Sequence, residues 1–258
     1  RTEIYHALFR ETAVTPTPKP SKKISTVTKD VHADAASASA FAAADDFIQV
    51  GAFTSEKIDV ICHQAAQMDV RKSVADPVYD ACVNILGMLN LFECGRKHGV
   101  KKILFASTGG AIYGEQDYFP ADENHPTRPL SPYGITKLST EKYLFYYNAV
   151  YGMQYVILRY ANVFGPRQSP HGEAGVVAIF TDKMLKGEKP IINGDGKQTR
   201  SVCYVSDLID GIYKLMMSDY TLPMNIGNPD EITMLDLAKE IIELTGSKSK
   251  IIFKELPQ

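Results

Sequence analysis

The sequence predicts an α/β fold organised as a doubly wound parallel sheet, followed by a smaller α/β domain. Three observations predict it. Residues 58–63, 102–107 and 155–160 are short, β-branched apolar runs of the kind that form strands buried on both faces. Helix-length segments separate these runs, the alternation of βαβ units. Each run is also followed by small, hydroxyl or amide residues, which suit the carboxyl ends of parallel strands where ligands bind.

In chain order, residues 1–57 show no clean apolar period. Residues 15–23 are rich in Pro and Lys and read as a linker, and 32–46 are mostly Ala, Ser and Asp. From residue 58 the first strand leads to a helix over 77–97, with Val83, Leu86, Leu89, Leu91 and Phe92 as its apolar positions before Gly99. The second strand, 102–107, precedes a helix over 132–150 opened by Pro132, whose missing N–H costs nothing in a first turn. The third strand is 155–160. A long polar loop spans 165–175, then come a helix over 176–186 ended by Gly187, a short strand at 191–192 and a turn at 193–196. Residues 206–217 form an amphipathic helix that Ser206 or Asp207 caps; Thr233, with Asp236 three residues on, caps a last helix before a strand at 251–254. The expected domains are 1–161, with helix 206–217 packed on it, and 162–258.

Charge and composition narrow the partners. With 28 basic and 30 acidic side chains the net charge is -2, which offers no footprint for nucleic acid or an anionic membrane. No run approaches the length of a membrane span, and no signal-peptide core stands at the N-terminus. Cys62, Cys82, Cys94 and Cys203 are widely spaced, with neither disulfide nor zinc-ligand spacing, as in a cytosolic protein. No metal site is expected. A small-molecule partner is.

Tyr133 and Lys137 stand four residues apart, hence on one face of the helix that Pro132 opens. An ammonium beside a phenol favours phenolate and lowers a pKa that starts near 10. After the three strands come 63–67 (His-Gln-Ala-Ala-Gln), 107–114 (Ser-Thr-Gly-Gly-Ala-Ile-Tyr-Gly) and 160–162 (Tyr-Ala-Asn). With the Tyr133/Lys137 pair these form one constellation.

From about Ile58 to Leu215 the chain resembles an extended short-chain dehydrogenase/reductase, most of all the UDP-glucose 4-epimerases. The residues that carry this are 63–67, Asp76-Pro77 with 83–87 (Val-Asn-Ile-Leu-Gly), 107–114, 131–137 (Ser-Pro-Tyr-Gly-Ile-Thr-Lys), 158–167 (Leu-Arg-Tyr-Ala-Asn-Val-Phe-Gly-Pro-Arg) and 194–200 (Gly-Asp-Gly-Lys-Gln-Thr-Arg). The resemblance implies a Rossmann-like sheet, NAD as cofactor, a UDP-sugar as substrate and a cytoplasmic homodimer paired through the helices that Pro77 and Pro132 open. It implies Tyr133 as the base at the sugar 4-hydroxyl, Lys137 as the group that lowers its pKa and holds the nicotinamide ribose, and Thr108, with Ser107 as a lesser candidate, as the proton relay. Ala65, Ala66, Gln67, Asn84, Ser107 and Tyr160 would line the cofactor. Thr108, Asn162, Val177, Ile192 and Arg200 would hold the substrate, Arg200 by two parallel hydrogen bonds to a diphosphate.

The chain also departs from that family. No G-x-x-G-x-x-G follows an opening strand, and Gly51 is the first glycine. Asp34 aligns poorly with the family's adenine-contacting Asp, and the family's C-terminal Arg and Asp have no counterpart, as in a truncated second domain. Related dehydratases and decarboxylases carry an acid after the catalytic Thr, where this chain has Gly109-Gly110-Ala111. Epimerisation is therefore the expected chemistry. A non-catalytic nucleotide-sugar-binding member of the fold, or another nucleotide-sugar-modifying enzyme, is the alternative.

Overall fold

The computed structural model describes residues 57–171 and 175–255. The N-terminal linker, the Ala/Ser stretch, Asp34 and Gly51 lie outside the described residues. Along the chain the elements are β1 (Val60–His63), α1 (Val70–Ala75), α2 (Pro77–Ala81), a π-helical turn (Cys82–Leu86), α3 (Gly87–Lys97), β2 (Lys102–Thr108), α4 (Gly109–Ile112), α5 (Pro132–Tyr151), β3 (Gln154–Tyr160) and β4 (Asn162–Phe164). They continue with α6 (Val176–Leu185), β5 (Ile191–Asn193), β6 (Thr199–Tyr204), α7 (Val205–Met217), β7 (Pro223–Ile226), β8 (Glu231–Thr233), α8 (Met234–Thr245) and β9 (Ile252–Lys254). The described residues form two compact units, 57–160 with 211–226 and 161–210 with 227–255.

The first unit holds a four-stranded parallel sheet in the order β1-β2-β3-β7, with Lys102↔Gln154 through Thr108↔Tyr160 in register. Strand alternation divides its core into two layers. Ile103, Phe105, Tyr155 and Ile157 pack with Met88 and Phe92 of α3 and Leu144 and Tyr147 of α5. Leu104, Val156 and Leu158 pack with Ile212, Leu215 and Met216 of α7. Helices therefore cover both faces, the doubly wound arrangement that the sequence predicts. Lys102 enters the second layer as a cap: its ammonium donates to the carbonyls of Leu215 at 2.9 Å and Met216 at 3.2 Å, at the negative end of α7.

The other unit builds its own core from Phe164, Val177, Phe180, Met184, Ile192, Val202, Leu237 and Ile241. Its sheet runs β4-β6-β8, parallel then antiparallel, and β5 pairs with β9 in parallel.

Several elements differ from the sequence reading. The helix expected over 77–97 is interrupted by the π-helical turn, and no strand is expected from the sequence at β4, β6, β7 or β8. The first unit takes in β7 as well as the last residues of α7, and the break between the units falls after Tyr160.

One buried ion pair ties α5 to β3. Arg159 Nη2 lies 2.7 Å from Glu141 Oε2, with the two side chains 5% and 4% exposed, and Arg159 also bonds Tyr113 at 3.0 Å. Removing one partner strands the other charge out of water. Glu141→Ala should therefore cost about 3–5 kcal/mol in urea unfolding, and a loss below about 1 kcal/mol would show that the pair is dispensable.

Candidate functional site

The start of α5 is fixed by local chemistry. Ser131 caps it, accepting from Gly134 N at 3.2 Å, and Pro132 occupies the first turn. The amide of Tyr133 donates to Ser73 Oγ of α1 at 3.2 Å. Gly134 is required here: a Cβ would come 2.5 Å from the Ala111 carbonyl and 2.8 Å from Pro129 Cβ. The helix thus begins hard against the turn that follows β2.

This packing brings Tyr133, Lys137 and Thr108 together. The Thr108 hydroxyl lies close enough to the Tyr133 phenol to lower its pKa. Lys137, 4% exposed, donates from Nζ to the Ala106 carbonyl at 2.8 Å and stands 4.8 Å from the Phe105 ring centroid and 5.7 Å from that of Tyr133. The electrostatics reverse one expectation. Burial, helped by the charge of Asp80, pushes the Tyr133 phenol up to about 12, and the Thr108 hydroxyl only partly offsets this. Burial pulls Lys137 down to about 8, against the opposing pull of Asp80. Desolvation outweighs the ammonium at this phenol.

Ser107 lies apart from the Tyr133 hydroxyl. With Ile103 and Phe105 it points to the α5 face, where its hydroxyl donates to Glu141 Oε1 at 2.6 Å. Its oxygen belongs to the buried Glu141–Arg159 network and not to the Tyr133 cluster.

The turn after β1 is held from beneath. Asn84, 5% exposed in the π-helical turn, accepts from Gln67 N at 2.8 Å and donates to Gln67 O at 2.9 Å. Its amide also donates to Asp80 Oδ1 at 3.1 Å, and the Gln67 side chain spans Asp69 and Asp80. Asn84 and the Gln67 side chain, expected to line a cofactor, are instead spent on shaping this turn. Ala65 is exposed and Ala66 half-buried, and each adds only a methyl group to the turn. Tyr160, at the end of β3, donates to Gln64 Oε1 at 3.0 Å, and burial raises its phenol.

In the other unit, Asn162 and Arg200 are exposed on β4 and β6; Asn162 donates to Ser201 O at 3.2 Å, and Arg200 to Thr199 O at 2.7 Å. Val177 and Ile192 have core side chains, about as buried as Leu237. Any ligand contact there would have to come from their backbone.

Two residues carry weight that the sequence reading missed. Asp80 is fully buried and bonded to Gln67, Asn84 and Thr136. Its signal was a second polar residue one turn before Asn84. His63 stacks on Phe105 at 5.9 Å and meets Phe92 edge-on at 6.0 Å. Burial, and then the charge of Lys137, hold it down at about 3, so it is neutral.

The donor set fits the sugar end of a dinucleotide. Among the described residues the Lys137 ammonium has three N–H groups and one protein acceptor, Ala106 O, which leaves donors for ribose hydroxyls. Among the described residues no cluster of His, Cys, Asp or Glu could hold a metal ion.

Comparison with known proteins agrees with this arrangement. Residues 16–227 match the model of the NAD dependent epimerase/dehydratase family. A Methanocaldococcus jannaschii relative is 49% identical over 197 residues, 76% of this chain and 64% of its own length. The UDP-glucose 4-epimerase of Thermotoga maritima, solved with UDP-glucose, has a TM-score of 0.80 at 44% identity, covering 83% of this chain and 70% of that one. That of Thermus thermophilus, solved with NAD, has a TM-score of 0.76 at 39% identity, covering 82% and 73%. The chain spans about half to two thirds of the length of the curated relatives it matches.

His63 gives a pH signature. Its folded pKa lies below the ordinary 6.5, so protonation favours the unfolded chain, and stability falls as pH drops below about 6.5. The His63 ring proton should keep its neutral chemical shift down to about pH 4.5 by NMR; a midpoint near 6.5 would contradict its burial.

Proposed function

Because the chain belongs to the NAD-dependent epimerase/dehydratase family, we propose that it is a nucleotide-sugar 4-epimerase of the UDP-glucose/UDP-galactose type. The observation that carries this is the Tyr133–Thr108–Lys137 cluster at the end of a parallel strand. NAD, when bound, would supply reversible acceptance of the hydrogen on the sugar C4. In this reading Tyr133 first loses its phenol proton to solvent, then takes the proton of the 4-hydroxyl and returns it after the 4-keto sugar has turned over. Thr108, beside that oxygen, passes the proton and orients the hydroxyl. Lys137 holds the ribose through its remaining N–H groups, with Tyr160 and the Ala65–Gln67 turn flanking the cofactor. Asn162 and Arg200 offer an amide and a guanidinium for a diphosphate and base.

The choice of epimerisation over elimination rests on the turn after Thr108. Gly109 and Gly110 carry no acid, and the next carboxylates, Glu115 and Asp117, are exposed, Asp117 being paired with Arg128. Nothing there can protonate a leaving hydroxyl beside the cluster.

A homodimer is part of the same reading. Ile135, Phe145, Tyr146 and Val150 on α5 are exposed, as are Val78 and Leu86 on the segment that Pro77 opens. Such apolar helix faces suit pairing with a second copy. A cytoplasmic location fits four free thiols. Light scattering should give twice the 28.5 kDa of the chain, and a monomer would refute the pairing.

Purified protein should carry nicotinamide dinucleotide and interconvert UDP-glucose and UDP-galactose. Tyr133→Phe should reduce kcat by at least about 10³-fold while leaving UDP-sugar affinity within about threefold, read by coupled assay and calorimetry. Protein inert with added NAD, or a Tyr133→Phe variant of unchanged activity, would refute this function.

A further inference from the structure

Asp80 is a buried charge that the proposed chemistry does not use. It is 0% exposed on α2, and among the described residues it has no ion-pair partner. Both its oxygens face donors: Oδ1 accepts from Gln67 Nε2 at 2.9 Å and Asn84 Nδ2 at 3.1 Å, and Oδ2 from Thr136 Oγ1 at 3.0 Å. That is a carboxylate acting only as acceptor. A buried carboxylate without a touching cation is costly, and it persists where it interacts with charge nearby. The cation near it is Lys137, the residue after Thr136. The interaction is mutual in its consequences: Asp80 raises both the Lys137 ammonium, which burial lowers, and the Tyr133 phenol.

The other groups around this cluster leave it the counter-charge. His63 from β1 is neutral. Arg71, Lys72 and Asp76, on α1 and at its end, are exposed. Asp69 is half-buried and caps α1 through Lys72 N at 2.8 Å. Tyr160 is held as a phenol by burial.

We propose that Asp80 is the positioning residue of the acid/base centre: its fully buried carboxylate, bonded to Thr136 beside Lys137, is the counter-charge of that ammonium, and its hydrogen bonds to Gln67, Asn84 and Thr136 tie the turn after β1 to the helix that carries Tyr133 and Lys137. The consequence for turnover rests on the epimerase reading; the charge effect does not.

Asp80→Asn separates charge from shape. The asparagine oxygen can still accept from Gln67 and Asn84. Its amide can donate to Thr136 Oγ1, whose proton then goes to Tyr133 O, already 2.9 Å away. Asp80→Ser is a second charge-removing variant should the first not fold. Thr136→Val removes a hydrogen bond and keeps the charge.

The test is ¹³C NMR of the purified chain labelled at tyrosine Cζ and lysine Cε, with Tyr133→Phe and Lys137→Met identifying the two resonances. In the native chain Tyr133 should remain a phenol to about pH 11, and in Asp80→Asn its midpoint should fall toward the ordinary value near 10. The Lys137 midpoint should drop below about 8, and Thr136→Val should leave both midpoints in place. Unmoved midpoints in the charge-removing variants, or equal displacement by Thr136→Val, overturn the proposal. In turnover, Asp80→Asn should move the whole pH profile of kcat to lower pH with KM within about twofold. A uniform loss without displacement overturns it. An inert chain with displaced midpoints overturns the epimerase reading and supports Asp80 as the counter-charge.

Discussion

A buried ammonium joins helix α5 to strand β2, and the candidate site depends on that junction. Lys137 reaches the Ala106 carbonyl at 2.8 Å from a position 4% exposed, with the Phe105 ring beneath it. Burying such a charge costs several kcal/mol after relaxation. A carbonyl dipole, an aromatic face and the carboxylate of Asp80 offset it together. The same junction sets the start of α5 so close to α4 that Gly134 has no room for a side chain, which carries Tyr133 over the end of the strand to Thr108.

Around that junction the polar groups divide by task. Ser107, Glu141, Arg159 and Tyr113 form a buried network that locks β2, α4, α5 and β3. Gln67, Asn84, Asp80 and Thr136 form another, which fixes the turn after β1 to α5. Buried networks of this kind rigidify when fully satisfied. Tyr133 and Lys137 sit between them with hydrogen-bonding capacity left over. A π-helical turn in the middle of a helix, as at Cys82–Leu86, commonly marks a functional site, and here it turns Asn84 inward.

Much of this was legible in the sequence. The three main strands showed as β-branched runs because both their faces are buried, and Pro132 marked the helix that carries Tyr133 and Lys137. Strand β7 was not legible, since four residues beginning with Pro look like loop, although Pro is tolerated at the first position of a strand. The π-helical turn leaves the apolar pattern of 77–97 nearly intact, so periodicity alone cannot reveal it. Asp80 reads as a solvated helix residue until its surroundings are known. The Tyr133 phenol was misjudged in sign because spacing reveals the neighbouring ammonium but not the loss of water. Val177 and Ile192 came from resemblance, and their apolar side chains went where such side chains go, into the core.

In the proposed reaction the hydrogen of a sugar C4 leaves and returns to the same carbon. UDP-glucose deuterated at C4, incubated with the purified protein and NAD in ordinary water, should therefore yield UDP-galactose with deuterium retained at C4 and none lost to solvent, read by mass spectrometry and NMR. Product carrying protium at C4, or loss of water or carbon dioxide from the sugar, would contradict the proposed reaction.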